Sequence, residues 1–196
     1  MTGLEVFNEK GISILSVDFT DSLNDIEGNH IYQQILDTMG LHIVDVNFDG
    51  YKDVIILNSF GGAHSNTWYD CWLWDVETSS FIKSESFAEI CNPALDPEKK
   101  CIYSAGGGGA TTWDGSIFSF IDGEFVVTNN LHVSDYGMVE KRLVNGAMEI
   151  VREEVFDHDD AIRKSKMEYY ENDDLWQLNN SRWYMYGGHH ADQWLE

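Results

Sequence analysis

Nine residues, Asp45-Val46-Asn47-Phe48-Asp49-Gly50-Tyr51-Lys52-Asp53, stand between two apolar runs, Ile43-Val44 and Val54-Ile55-Ile56-Leu57. The flanking runs are mostly β-branched and read as buried strands, so the nine residues must carry the chain from one strand into the next. Oxygen-bearing side chains fall at positions 1, 3, 5 and 9 of the run, and Gly50 sits where a sharp turn needs it. A hard cation takes six to eight oxygens at about 2.3–2.6 Å. Asp45, Asn47, Asp49, Asp53 and the carbonyl of Tyr51 offer such a set, and the expected ligand is Ca2+. Asp, Asn and Gly also favour turns for local reasons, which makes a metal-free turn the alternative. Against it, gathering Asp45, Asp49 and Asp53 on one centre without a cation would crowd like charges and raise their pKa values. A twelve-residue EF-hand is excluded: its bidentate Glu would fall on Ile56, and strands, not helices, flank the loop.

Along the chain the apolar period is two far more often than 3.6. Leu4 to Phe7 and Ile12 to Phe19, with Gly11 between them, read as an opening hairpin. Thr67 to Val76 is apolar on both faces, with Trp68, Trp72 and Trp74 on one and Tyr69, Cys71 and Leu73 on the other, and belongs in the middle of a sheet. Phe81 to Ile90 follows, then a turn at Asn92-Pro93 to Asp96-Pro97 holding both prolines of the chain. A strand at Cys101 to Ser104 is expected to break at the glycine run before Thr112 to Ile121 resumes. Asp122-Gly123 and Asn145-Gly146 are hairpin signals. Leu131 onward reads as a meander through Met138 to Val144, Ala147 to Phe156, Ile162 to Tyr170 and Trp176 to Tyr186. His30 to Met39 fits a strand or a short helix. The expected fold is all-β, an antiparallel sandwich or propeller-like half-barrel meander with a single calcium loop. One domain over residues 1–196 is expected, with a short tail at 187–196.

The run Val44 to Leu57 resembles the FG-GAP calcium loop of integrin-type β-propellers. More closely, it resembles a bacterial family of small β proteins that includes periplasmic lysozyme inhibitors and immunity proteins against secreted peptidoglycan hydrolases. The resemblance extends from about residue 12 to 155 and is carried by the loop, by Trp72-Leu73-Trp74-Asp75, by Asn92-Pro93 to Asp96-Pro97, and by Gly123-Glu124-Phe125. It implies an all-β fold and an inhibitory or immunity role towards a protein partner, a basic peptidoglycan hydrolase or toxin. It also implies a protruding loop that enters a partner's cleft. Tyr103, Ser104, Gly106, Gly107, Gly108 and Gly109 are the residues that would form it, although Ala105 follows Ser104 and the loop lacks a tyrosine of its own.

The formal charge of −22, from 12 basic and 34 acidic residues, excludes a nucleic-acid binder, for want of a basic patch to displace counterions. It equally disfavours an anionic membrane and favours basic partners and divalent cations. Cys71, Cys91 and Cys101 cannot all pair within the chain and show no Cys-x-x-Cys spacing; reduced thiols are expected. Met1-Thr-Gly-Leu-Glu-Val lacks a basic-then-apolar opening, so a cytoplasmic location is expected, with export to the periplasm, as in the resembled family, the alternative.

No nucleophile elbow, His-Glu-x-x-His helix or partnered Cys-His arrangement is present, and the chain is expected not to be an enzyme. Gly106 to Gly109 is not followed by the Lys-Ser or Lys-Thr of a phosphate loop. His189-His190 with Asp192, and His158 among its aspartates, read as solvated polar ends. The alternatives are a glycan hydrolase using carboxylates near Trp68 and Trp113, and a calcium-stabilised adhesion or scaffold module.

Overall fold

A computed structural model describes residues 3–18, 40–61, 66–107 and 112–157. It is built almost wholly of antiparallel strands in three sheets, each a run of consecutive strands with no crossover. β1 (Gly3–Phe7) and β2 (Ser13–Asp18) form a two-stranded ribbon. β3 (Leu41–Val44), β4 (Asp53–Gly61), β5 (Asn66–Asp75) and β6 (Ser80–Ser84) form a four-stranded sheet in that order. β7 (Ala94–Asp96), β8 (Cys101–Gly107), β9 (Trp113–Ile121), β10 (Glu124–Ser134), β11 (Gly137–Val144) and β12 (Ala147–Val155) form a six-stranded sheet. None of the sheets closes on itself, in keeping with the expected antiparallel sandwich or open meander. Among the described residues no helix is long and apolar enough to cross a membrane.

The two-residue hairpins form where the sequence places them. Asp122 and Gly123 take φ values of 51° and 90°, and Asn145 and Gly146 take 50° and 84°. Positive φ at both central residues matches the right-handed twist of the paired strands, which is why Asp-Gly and Asn-Gly work there.

β5 explains the layering. Its Tyr69 and Cys71 join Val44, Val46, Ile55 and Leu57 on one face of the four-stranded sheet, packed against Ile102, Phe118 and Phe125 of the six-stranded sheet. On the other face Trp72, with Val54 and Ile56, packs against Leu15 of the ribbon, with Leu4, Val6 and Val17 around it. A strand apolar on both faces has therefore been placed where both are covered, as its sequence requires. A third cluster, including Tyr103, Leu131, Val133, Met138 and Phe156, lies on the far face of the six-stranded sheet.

Three expectations need correction. Phe81 to Ile90 is not one extended run: after β6 the chain makes a 3-10 turn, Ser86–Glu89, which swings Phe87 and Ile90 into the main core at zero exposure. The Asn92 to Pro97 turn contains β7, a three-residue edge strand bracketed by the two prolines, where a missing N–H costs no central ladder bond. And β8 does not stop at Ser104. It runs on through Ala105 to Gly107, with Gly106 opposite Asp114 and Gly107 opposite Trp113. Gly106 lies in the ladder without a positive φ, and a Cβ there would meet Cys91 Sγ at 3.5 Å, an ordinary contact, so this glycine neither makes a turn nor ends the strand.

Gly137 opens β11 opposite Val155, and a Cβ there would run into the carbonyl oxygen of Glu154. Gly137→Ala is therefore expected to destabilise the fold by about 1–3 kcal/mol through overpacking against backbone. A fall in the urea midpoint at unchanged slope would show this; an unchanged midpoint would mean that β12 yields freely.

The expected elements at 20–28, 30–39, 162–170 and 176–186, the tail at 187–196, and the histidines at 158, 189 and 190 lie outside the described residues.

Candidate metal loop and its surroundings

The nine-residue loop is closed by its own side chains. Asp45 accepts from the amide of Asp49 at 3.1 Å and from that of Gly50 at 2.9 Å, one on each carboxylate oxygen. Asn47 Oδ1 also accepts from Asp49 N, at 3.2 Å, and Asp49 Oδ1 accepts from Tyr51 N at 2.8 Å. Asn47 Nδ2 donates to Asp49 Oδ2 at 3.0 Å. These bonds hold the backbone in two positive-φ positions, Phe48 at 61° and Gly50 at 94°. For a bulky residue such as Phe48 that conformation is an outlier, and its side chain is anchored by packing against the main core. Lys100 Nζ reaches the carbonyl of Phe48 at 3.5 Å.

Asp53 behaves differently from the other two aspartates. As the first residue of β4 it is fully buried, with Oδ2 accepting from Val46 N and Oδ1 from Trp74 N, both at 2.9 Å. One carboxylate thus joins the beginning of the loop, the start of β4 and the end of β5. Burial pushes its pKa up to about 6, the charges of Asp49 and Asp45 push the same way, and the two backbone donors oppose them. At the end of β5, Asp75 is held below the usual carboxylate range by the Thr78 hydroxyl and the Glu77 amide.

The donor set fits a hard cation in kind: Asp45, Asn47, Asp49, Asp53 and the Tyr51 carbonyl are all oxygen donors. A carboxylate oxygen that accepts one N–H keeps a lone pair for a second partner. Their placement is that of a loop capped by its own carboxylates. Among the described residues no three His, Cys, Asp or Glu side chains stand together closely enough to hold a metal ion.

The residues expected to protrude do not share one setting. Tyr103 is buried on the far face of the six-stranded sheet, its hydroxyl accepting from Lys99 Nζ at 2.8 Å and donating to Asp96 Oδ2 at 3.4 Å; burial pushes its pKa up to about 12. Ser104 is buried on the opposite face and donates to the Cys91 carbonyl at 2.6 Å. Gly106 and Gly107 sit in the β8–β9 ladder, and Gly108 and Gly109 lie outside the described residues. The strand's parity sends neighbouring side chains to opposite faces, both of them covered, so Tyr103 and Ser104 present no common surface. All three cysteines are thiols, and burial raises the pKa of Cys71 and takes that of Cys91 to about 11, far from a reactive thiolate.

Two polar features carried no sequence signal. Asn92 forms a staple between strands: its Oδ1 accepts from Thr67 N at 2.7 Å and Thr67 Oγ1 at 2.9 Å, and its Nδ2 donates to Ala105 O at 2.7 Å and Asn66 Oδ1 at 3.1 Å. The Asn-Pro step marks it only as a turn. His132 Nδ1 lies 2.7 Å from Asp114 Oδ1 across β9 and β10, in an exposed pair.

Comparison with protein-family models finds no match, and comparison with curated proteins finds none either. Among solved structures the chain is similar to one described as a Xanthomonas Type IV secretion system related protein. The TM-score is 0.51 with 20% identical residues, and the match covers 58% of this chain and 58% of that one. A likeness at that identity concerns the fold, and with the sheets described above it defines an all-β protein of antiparallel sheets packed face to face. The all-β expectation holds; no family match supports the finer resemblance to FG-GAP loops or lysozyme inhibitors.

Proposed function

We propose that this chain is a calcium-stabilised, non-enzymatic module that recognises a basic protein, acting as an inhibitor or immunity partner of a lysozyme-like peptidoglycan hydrolase. The observation that carries the calcium part is Asp53: a buried carboxylate whose pKa is raised by burial and, to a lesser degree, by the charges of Asp49 and Asp45 is in a situation that a divalent cation would relieve. Calcium bound by Asp45, Asn47, Asp49, Asp53 and the Tyr51 carbonyl would neutralise the loop and fix β3 against β4. The partner part rests on the resemblance of the loop and its neighbouring motifs, and on a charge of −22 that steers a basic protein inward. The description of the structural neighbour as secretion-system related is compatible with a chain that meets other proteins. A site of the weaker extracellular grade fills only at millimolar calcium, which suits an exported protein.

Thermal melts in excess calcium and in chelator test the first part. Calcium at a hundred times its Kd should add about 2.7 kcal/mol, a rise of about 5–10 °C for a chain of this length, and Asp49→Ala should abolish it. No shift would leave Asp45 to Asp53 a plain turn. Titration of the calcium-loaded protein into a cell-wall lysis assay with a basic lysozyme tests the second part. Stoichiometric loss of lysis is expected; full lysis despite an intact calcium shift would remove the inhibitory role and leave the calcium loop standing.

A further inference from the structure

We propose that, given the inhibitory role put forward above, the tip of the β11–β12 hairpin is the part of this chain that enters the glycan cleft of the hydrolase. Lys141 would face the carboxylates of the cleft, and Leu143, Met148 and Ile150 would lie on its apolar wall.

The tip is an arm split from its sheet. β10 and β11 are paired only from Ser134 opposite Gly137 to Asn129 opposite Arg142. Beyond that point β10 runs on to Glu124 against β9, while Leu143 and Val144 run on against Met148 and Ala147 of β12. The fork has a cause in the 3-10 turn. Ile121 and Glu124 flank the Asp122-Gly123 turn and bond to each other, so the amide of Phe125 points away from β9. It donates to Ser86 Oγ at 2.9 Å, which fills the place that β11 would otherwise take beside the first half of β10. β11 and β12 therefore leave the sheet together.

Lys141 stands opposite Ile150 and Leu143 opposite Met148, so these four side chains share one face of the arm. Ile150 is 57% and Met148 38% exposed. Lys141 is exposed too and forms no ion pair among the described residues, whereas Arg142, on the other face, is held by Glu140 at 2.7 Å. Apolar side chains gathered on the exposed end of an arm mark a contact surface. Charge selects the surface they meet. The chain as a whole carries −22, yet from Lys141 to Met148 it has two basic residues and no acidic one. A glycan hydrolase holds two carboxylates in its cleft, and an acidic surface set against them would meet like charge. The arm brings a lysine there instead, and leaves the acidic remainder for the basic surface outside the cleft. Asn145 and Gly146, at φ of 50° and 84°, fix the tip before a partner arrives, which lowers the ordering cost of binding.

Steady-state kinetics of egg-white lysozyme on a soluble oligosaccharide, with the calcium-loaded full chain as inhibitor, test this. The wild-type chain should raise the apparent KM and leave kcat unchanged, since chain and substrate compete for one cleft. Lys141→Glu and Met148→Asp should each raise the concentration needed for half-inhibition about tenfold or more. Both sites are exposed, so unchanged circular-dichroism melts will show that the variants fold. Inhibition by both variants as strong as by wild type, or a fall in kcat at constant KM, would overturn the arm's part and leave an inhibitor that works through another surface. A wild-type chain that melts higher with calcium but inhibits at no concentration would overturn the inhibitory reading itself, and the arm's part with it.

Discussion

Asn92→Ala is expected to lower the unfolding free energy by about 3–5 kcal/mol, measured by chemical denaturation. The side chain satisfies the amide and hydroxyl of Thr67, which is 1% exposed, and the carbonyl of Ala105, 9% exposed. Truncation leaves those groups buried without it, at about 1–3 kcal/mol for each that finds no other partner. Asn92 also has φ of 47°, a conformation that costs an alanine about 1–2 kcal/mol and an asparagine less. Asn92→Gly removes the strain and keeps the loss of bonds, so the difference between the two variants isolates the backbone term. Asn92→Asp keeps the acceptor for Thr67 but turns a second acceptor on the Ala105 carbonyl, and should recover little. Recovery of full stability by Asp would mean that Thr67 alone matters.

The second large effect falls on Asp53. Asp53→Ala deprives Val46 N and Trp74 N of their shared acceptor, at an expected cost of about 2 kcal/mol or more at neutral pH without calcium. Its pH dependence is distinctive. The folded-state pKa, about 6, is raised above the ordinary 3.8, so folding favours the protonated form. The associated stability is fully present below about pH 3.8 and is lost as pH rises through about 6. Two pKa steps amount to about 3 kcal/mol in all, of which about 1 kcal/mol should separate pH 5 from pH 7.5. In chelator the wild-type protein should therefore melt higher at pH 5 than at pH 7.5, and Asp53→Ala should flatten the difference between those two values. Calcium should reverse the trend, since it needs the ionised carboxylate. A pH profile identical in wild type and variant would assign the slope to the other acidic residues.

What could be read in the sequence and what could not divides along physical lines. Asp122-Gly123 and Asn145-Gly146 announce their hairpins because the φ values they need are ones few other residues accept. The central place of β5 was equally legible, since a strand apolar on both faces has nowhere else to go. Gly106 and Gly107 misled because a glycine that ends a strand and one that is carried within a ladder look the same from the sequence. Tyr103 and Ser104 looked like a surface pair for a related reason: in a strand covered on both sides, polar side chains are satisfied internally. Asp53 shows the limit for the candidate site. Its position nine in the loop was visible, but whether it aims at a cation or at two backbone amides depends on where β5 places Trp74, 21 residues further on.

The β1–β2 ribbon has a consequence for how the molecule comes apart. Two strands alone are marginally stable, so the ribbon's order is borrowed from the face of β4 and β5 on which it lies. Its detachment would leave the main core between the two larger sheets closed, yet bare Val54, Ile56 and Trp72 side by side. Such a partial opening would thus be an adhesive one, exposing sticky surface before the fold itself is lost.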